Sequence, residues 1–305
     1  MNKTIIILLI FSASLIFSST INAQSSRWKR TRYEIVGGAG LTGFMGDLGG
    51  GDATSHFISD FDFASQRFVL QGGLRYKLLE PLAVKSTLSY GLLSGADSKA
   101  KDQYRIDRNL SFRSSIIEFA TQLEFSIIKE PSSGRYKMRR RKKFSLQNLL
   151  RVNTYLFAGV SGFYFNPKGK DDGEGGTGKW VALQPLGTEG QNIMEGREKY
   201  KRVSLAFPMG IGFKYAINRK ISIGAEFGGR YTLSDYIDDV STTYVDHDWL
   251  ASNDPQAARM ANKSSVYTYA PGEQRGEAKY NDYYIFSIVT ISYKLRTGRN
   301  GLPKF

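Results

Sequence analysis

Two histidines and no cysteine set narrow limits on nucleophilic or metal chemistry in this 305-residue chain. His56 and His247 lie in polar stretches, the second inside Asp246-His247-Asp248, which puts acids beside a base. A nucleophilic site also needs a positioned serine and an orienting acid, and no serine elbow accompanies either histidine. Asp235, Asp238, Asp239, Asp246 and Asp248 crowd into one stretch. Oxygen-rich loops can hold calcium, but the EF-hand spacing is absent, so these acids are expected to pair with Arg and Lys, cap helices and close turns. Gly38-Ala-Gly40-Leu-Thr-Gly43 matches G-x-G-x-x-G, yet the following FMGDLGGGDATS lacks the helical period that a dinucleotide site requires. No catalytic, cofactor-binding or metal-ligating set is expected. The densest charge is basic: within GRYKMRRRKKFS, Arg135, Lys137, Arg139, Arg140, Arg141, Lys142 and Lys143 form a run that would suit a phosphate backbone if one were within reach.

The N-terminus decides what is within reach. Lys3 precedes an apolar run from Ile5 to Phe17, which gives way to small and polar residues ending INAQ. This is the pattern of a secretory signal peptide over residues 1–23, cleaved before Gln24, with a core shorter than the ~20 residues of a spanning helix. Past residue 23 no run of ~18 apolar residues occurs, so no helix is expected to span a bilayer. Composition favours strands, with 18 Tyr, 19 Phe, 32 Gly and only 8 Pro.

Strands are also what the periodicity predicts. Leu205, Phe207, Met209, Ile211, Phe213, Tyr215 and Ile217 alternate with Ser204, Ala206, Pro208, Gly210, Gly212, Lys214 and Ala216. Ile221 to Thr232 repeats the alternation after a minimal link. Eight such segments are long enough to cross a membrane as tilted strands, approximately 33–45, 67–79, 82–93, 114–128, 151–164, 203–217, 220–232 and 283–295. The fifth has the weakest pattern, because Tyr155, Phe157 and Phe163 face away from Leu156 and Val160. The expected fold is all-β: a closed antiparallel transmembrane barrel of eight strands over 33–295, after a periplasmic segment 24–32 and before a periplasmic tail 296–305. The links after segments two and six are short, near Glu80-Pro81 and Asn218-Arg219, while those after one, three, five and seven are long. Long loops face outside and short turns face the periplasm, which puts both termini and the basic run in the periplasm, where no chromosome is within reach.

Opposite the apolar face lie Arg75, Lys77, Lys85, Glu118, Gln122, Glu124, Lys214, Glu226, Arg230 and Lys294. The interior of an eight-stranded barrel is just wide enough for side chains to fill, and buried charges must be paired. Arg75, Lys85, Glu118, Glu124, Glu226 and Arg230 are therefore expected to form an ion-pair lattice in the lumen. A conducting polar lumen is the alternative.

Four stretches carry a family resemblance: RNLSFRSSIIEFATQLEFSI from Arg108, YLFAGVSGFYFNP from Tyr155, LQPLGTEGQ from Leu183 and DYIDDVSTTYVD from Asp235. Together they resemble the Bacteroidetes outer-membrane barrel family that includes PorG, the barrel component of the type IX secretion system, which works with gliding motility in many of these bacteria. The resemblance runs from about Glu34 to Leu295. It implies a non-enzymatic outer-membrane barrel, surrounded by outer-membrane lipids, that contacts a periplasmic ring built from proteins resembling PorK and PorN. The basic run and the tail are not motifs of that family. By length and charge, Arg135 to Lys143 is the inward-facing connection expected to meet a ring, with anionic head groups as the competing contact. A small channel or surface-binding barrel is the alternative function.

Overall fold

The computed structural model describes residues 28–48, 65–100, 102–128, 152–172, 175–191, 193–298 and 300–304. Eight strands carry the fold: β1 Tyr33–Met45, β2 Arg67–Lys77, β3 Leu82–Ala96, β4 Ser111–Ser126, β5 Asn153–Lys170, β6 Val203–Ala216, β7 Ile221–Thr232 and β8 Tyr283–Lys294. Each is antiparallel to the next, and β1 closes on β8 from Glu34↔Lys294 to Met45↔Tyr283. The barrel therefore has no free edge, which lets every strand satisfy its backbone groups in a medium without water.

The period-two pattern explains which way each strand faces. On β6, Leu205, Phe207, Met209, Phe213 and Tyr215 are exposed to the outside of the barrel while Ala206 and Lys214 are buried. Phe68, Leu70, Leu74, Leu88, Phe119, Leu123, Val289 and Ile291 continue this apolar belt around the circumference. Tyrosines mark both of its edges, with Tyr215 and Tyr293 at the short-turn end and Tyr90, Tyr164 and Tyr231 at the loop end. Such rings sit where hydrocarbon meets water.

β5 inverts the usual arrangement, and the glycines opposite explain how. Tyr155, Phe157 and Phe163 point inward and are buried, while Leu156 and Val160 face lipid. A Cβ on Gly212 would collide with the Tyr155 ring, and one on Gly228 would collide with Phe157. Interior glycines on β6 and β7 thus make room for interior aromatics from β5. Gly38 and Gly40 of the G-x-G-x-x-G stretch lie on β1, where a Cβ on Gly40 would overlap the Ser287 carbonyl on β8. These glycines serve close strand packing and no helix begins on them.

Three strand ends extend three or more residues beyond the sequence reading. β3 continues to Ala96, β4 begins at Ser111, and β5 runs to Lys170 instead of stopping near 164. These extensions carry Ser94, Arg113 and Lys168, so the alternation of apolar residues has already ended there while backbone pairing has not. The end of β5 pairs with a three-residue strand, Trp180–Ala182. The turns at 78–81 and 217–220 are tight, the second closed by Asn218 Oδ1 accepting from Lys220 N and Ile221 N.

The described parts of the long links fold into a cap on the loop end. It contains helices α1 Gln103–Arg108, α2 His247–Asn253 and α3 Pro255–Ala261, capped by Asp102, Asp246 and Asp254 respectively. Leu48, Leu93, Leu110, Ile237 and Val240 join Phe44, Phe112, Phe163, Phe165 and Tyr284 in one apolar cluster, so cap and upper barrel share a core. At the opposite end Arg296–Thr297 pairs with Pro303–Lys304, and Thr297 Oγ1 accepts from Arg32 N at 3.2 Å.

Candidate functional site

The charged interior is organised around Arg75 on β2. Its Nε and Nη2 meet Glu124 of β4 at 2.6 and 3.0 Å, its Nη1 meets Glu34 of β1 at 2.9 Å, and its Nη2 lies 3.5 Å from Glu226 of β7. One guanidinium thus joins carboxylates from three other strands across the lumen. Lys85 bridges Glu226 at 2.5 Å and Glu124 at 3.5 Å. Tyr155 donates to Glu226 at 2.6 Å, and Lys77 and Lys214 pair with Glu34 at 2.9 and 3.3 Å.

A second node lies nearer the cap. Arg230 approaches Glu118 at 3.4 Å, Tyr284 donates to Glu118 at 2.6 Å, and the Arg230 guanidinium sits 4.0 Å from the centre of the Phe286 ring. All six residues expected in the lattice are buried in the lumen: Arg75, Lys85, Glu124 and Glu226 in the first node, Glu118 and Arg230 in the second. Glu34 is a member that sequence reasoning missed. Its parity with Val36 already places it inward, but the glycines of β1 are the more conspicuous feature of that strand.

The cap has its own polar centre, formed by two stretches some fifty residues apart. From LQPLGTEGQ, the Glu189 carboxylate accepts from Ser241 N at 3.0 Å, from Thr242 N at 3.2 Å and from Thr242 Oγ1 at 2.6 Å. Thr188 donates to Asp239 at 2.6 Å, and Tyr200 donates to the other oxygen at 2.5 Å. Arg275 joins both sides, pairing with Glu189 at 2.9 Å and donating to the Asp239 carbonyl at 2.7 Å. Below it, Arg108 holds Asp97 through two bonds at 2.7 and 2.8 Å and donates to the Asp47 and Arg275 carbonyls. LQPLGTEGQ and DYIDDVSTTYVD are therefore the two halves of one clasp.

The aspartates of this loop divide by role. Asp246 caps α2 and Asp248 is exposed, with His247 Nδ1 3.5 Å from it. Asp238 accepts from Leu48 N at 3.1 Å and from Val240 N two residues on at 3.0 Å, the second a turn-closing bond of the kind expected from sequence. Burial pushes the Asp235 carboxyl up to about 8 and the Asp239 carboxyl to about 6, the latter against the pull of Arg275. Burial likewise raises Asp238 and Asp282, which repel one another and Asp47. Among the described residues no three His, Asp or Glu side chains are arranged to hold a metal ion. His56 and the basic residues Arg135, Lys137, Arg139, Arg140, Arg141, Lys142 and Lys143 lie outside the described residues.

A closed eight-stranded antiparallel barrel with an apolar outer belt, aromatic edges and a filled interior defines a small outer-membrane β-barrel. A family described as "Domain of unknown function (DUF6089)" matches residues 186–253, which span most of the clasp and the strands β6 and β7 between its halves. The chain matches no curated protein. Among solved structures it is similar to Neisserial surface protein A, at 8% identity over 86% of this chain and 96% of that one, with a TM-score of 0.36. It is also similar to a major outer membrane protein from Thermus thermophilus, at 12% identity over 86% and 99% of the two chains, with a TM-score of 0.36. The outer membrane protease OmpT from Escherichia coli aligns at 9% identity over 90% of this chain and 99% of that one, with a TM-score of 0.36. At these values the likeness carries no argument, and the barrel rests on its own strand pairing.

Each polar centre can be tested by itself. Arg75→Met leaves Glu124 buried without its main partner, takes one of three cations from Glu34, and should cost ~3–5 kcal/mol, read as a lowered unfolding midpoint in detergent; adding Glu124→Leu should recover part of the loss. No loss in the single variant would mean the lattice does not hold the barrel. In the cap, Asp235 and Asp239 bind protons more tightly folded than unfolded. Their stabilisation is complete below the unfolded value near 4 and is lost as pH rises through about 6 and about 8. Hydrogen exchange at 235–246 should quicken, beyond its intrinsic pH dependence, between about pH 5 and pH 9, and Asp235→Asn should flatten the upper part of that rise. Exchange that slows over this range would contradict the assignment.

Proposed function

We propose that this chain is a non-enzymatic outer-membrane barrel acting as an anchoring or assembly subunit of a type IX protein secretion system, with both termini periplasmic. It docks a periplasmic ring, of proteins resembling PorK and PorN, through the basic link. The resemblance in the clasp motifs and strands motivates the system. The observation that carries the docking role is topological. The turns at 78–81 and 217–220, the N-terminal segment and the C-terminal hairpin all lie at one end of the barrel. The link between β4 and β5 leaves and re-enters at that same end, tied by Ile127 N and Ile128 N to the Thr154 carbonyl. It is the long connection there, and it carries seven Lys and Arg from 135 to 143. A lumen occupied by Arg75, Lys85, Tyr155 and Phe157 favours an anchor over a conduit for protein cargo.

A surface-binding barrel is the second reading, favoured by the ordering of residues 233–282 into a cap with its own apolar cluster of Val245, Leu250, Ala257, Ala258 and Ala261. Crosslinking in native membranes followed by affinity purification separates the two. The secretion reading expects ring proteins among the products, reduced at least ~5-fold when Arg139 to Lys143 are reversed to Glu, because opposed charge would then face the partner. Recovery of ring proteins that is indifferent to the reversal would remove the link as the docking surface. Their absence would leave the surface-binding reading.

A further inference from the structure

The outward faces of β4, β5 and β6 are apolar through the belt and turn basic at its loop-side edge. Arg113 of β4 and Lys168 of β5 stand directly opposite one another in register. Like charges at opposed positions of an antiparallel pair destabilise the sheet unless something anionic lies between them. Arg202, which precedes β6, reaches the same area, its Nη1 3.2 Å from Asn166 Oδ1 and its guanidinium 5.8 Å from the centre of the Tyr164 ring. The Arg113 guanidinium packs against Trp180, 4.1 Å from the ring centroid, which fixes the direction of its remaining donors.

Four buried or half-buried cations of the cap are committed to carboxylates: Arg108 to Asp97, Arg259 to Asp171, Lys263 to Asp172 and Arg275 to Glu189. Arg113, Lys168 and Arg202 form no ion pair among the described residues. Immediately below them the surface is that of a lipid contact. Tyr164, Ile117, Val203 and Leu205 are exposed there, and Gly162 opposite Phe119 faces outward with nothing within 4 Å of where a Cβ would be. That glycine leaves a dip in the belt beneath the three cations.

We infer that Arg113, Lys168 and Arg202 bind the phosphate of a lipid head group in the loop-side leaflet, with an acyl chain of the same lipid lying in the dip at Gly162. Charge complementarity selects the phosphate, since guanidinium groups match phosphate geometry and clustered Lys and Arg draw anionic lipid. Position selects a lipid over a free anion, because the cations stand at the boundary of the apolar belt between two amphipathic aromatics, Trp180 and Tyr164. The site is independent of the docking role of the basic link, which lies at the other end of the barrel.

Native mass spectrometry of the detergent-solubilised barrel tests this, with phosphatidic acid, phosphatidylcholine and inorganic phosphate as probes. Phosphatidic acid should be retained at least ~10-fold better than phosphatidylcholine. The triple variant R113Q/K168Q/R202Q should lose that preference, while K170Q/K179Q should keep it. Gly162→Phe, which fills the dip and leaves the cations, should weaken phosphatidic acid and leave inorganic phosphate unchanged. Equal retention of the two lipids, or an undiminished preference in a folded triple variant, would overturn the site. Insensitivity of phosphatidic acid to Gly162→Phe, with inorganic phosphate competing equally, would replace the lipid by a free anion and overturn the inference as stated.

Discussion

Arg75 sets the condition that the rest of the barrel meets. A guanidinium cannot be deprotonated to escape burial, so once β2 closes into the barrel it must be met by carboxylates from whichever strands face it. Glu34, Glu124 and Glu226 arrive from β1, β4 and β7, which means the ion pairs span the lumen and do not simply line one wall. Lys85 and Tyr155 then take up the Glu226 oxygens, and Lys77 meets the other oxygen of Glu34. Because both charged partners are deeply desolvated, the lattice specifies which strands oppose one another more than it adds net stability, and the aromatic filling from β5 supplies the apolar volume around it.

The cap solves a comparable problem at the loop end. A fifty-residue link cannot remain ordered on turn chemistry alone. Here Glu189 supplies acceptors for the amides of Ser241 and Thr242, and Arg275 ties Glu189 to the Asp239 carbonyl. The acids left over, Asp47, Asp235, Asp238 and Asp282, are held close together under burial, so the cap is most secure when some of them are protonated. The family match over 186–253 takes in both sides of this clasp together with β6 and β7 between them. Strand residues need only alternate, whereas Glu189 and Asp239 each meet several specific partners.

How much of this is legible beforehand depends on the range of the interaction. Alternation from Leu205 to Tyr231 places β6 and β7 within one residue of their ends, because a period of two is a local property. The same parity puts Arg75, Lys85, Glu118, Glu124, Glu226 and Arg230 inside, but not which meets which, since register across non-neighbouring strands is not local. β5 is the weak segment because its interior aromatics make sense only beside Gly210, Gly212 and Gly228, more than fifty residues on. Its extension to Lys170 escapes the pattern because hydrogen bonding to Trp180–Ala182 continues where the apolar alternation has ended. The clasp is visible as two unusual stretches and legible as a contact only in three dimensions.

A closed barrel whose lumen is filled by side chains leaves no open path through it. Planar-bilayer recording on the purified, folded barrel addresses that directly. Arg75, Lys85, Tyr155 and Phe157 filling the lumen predict no steady current at any moderate voltage. A reproducible, steady ohmic conductance from the folded wild-type barrel would contradict it.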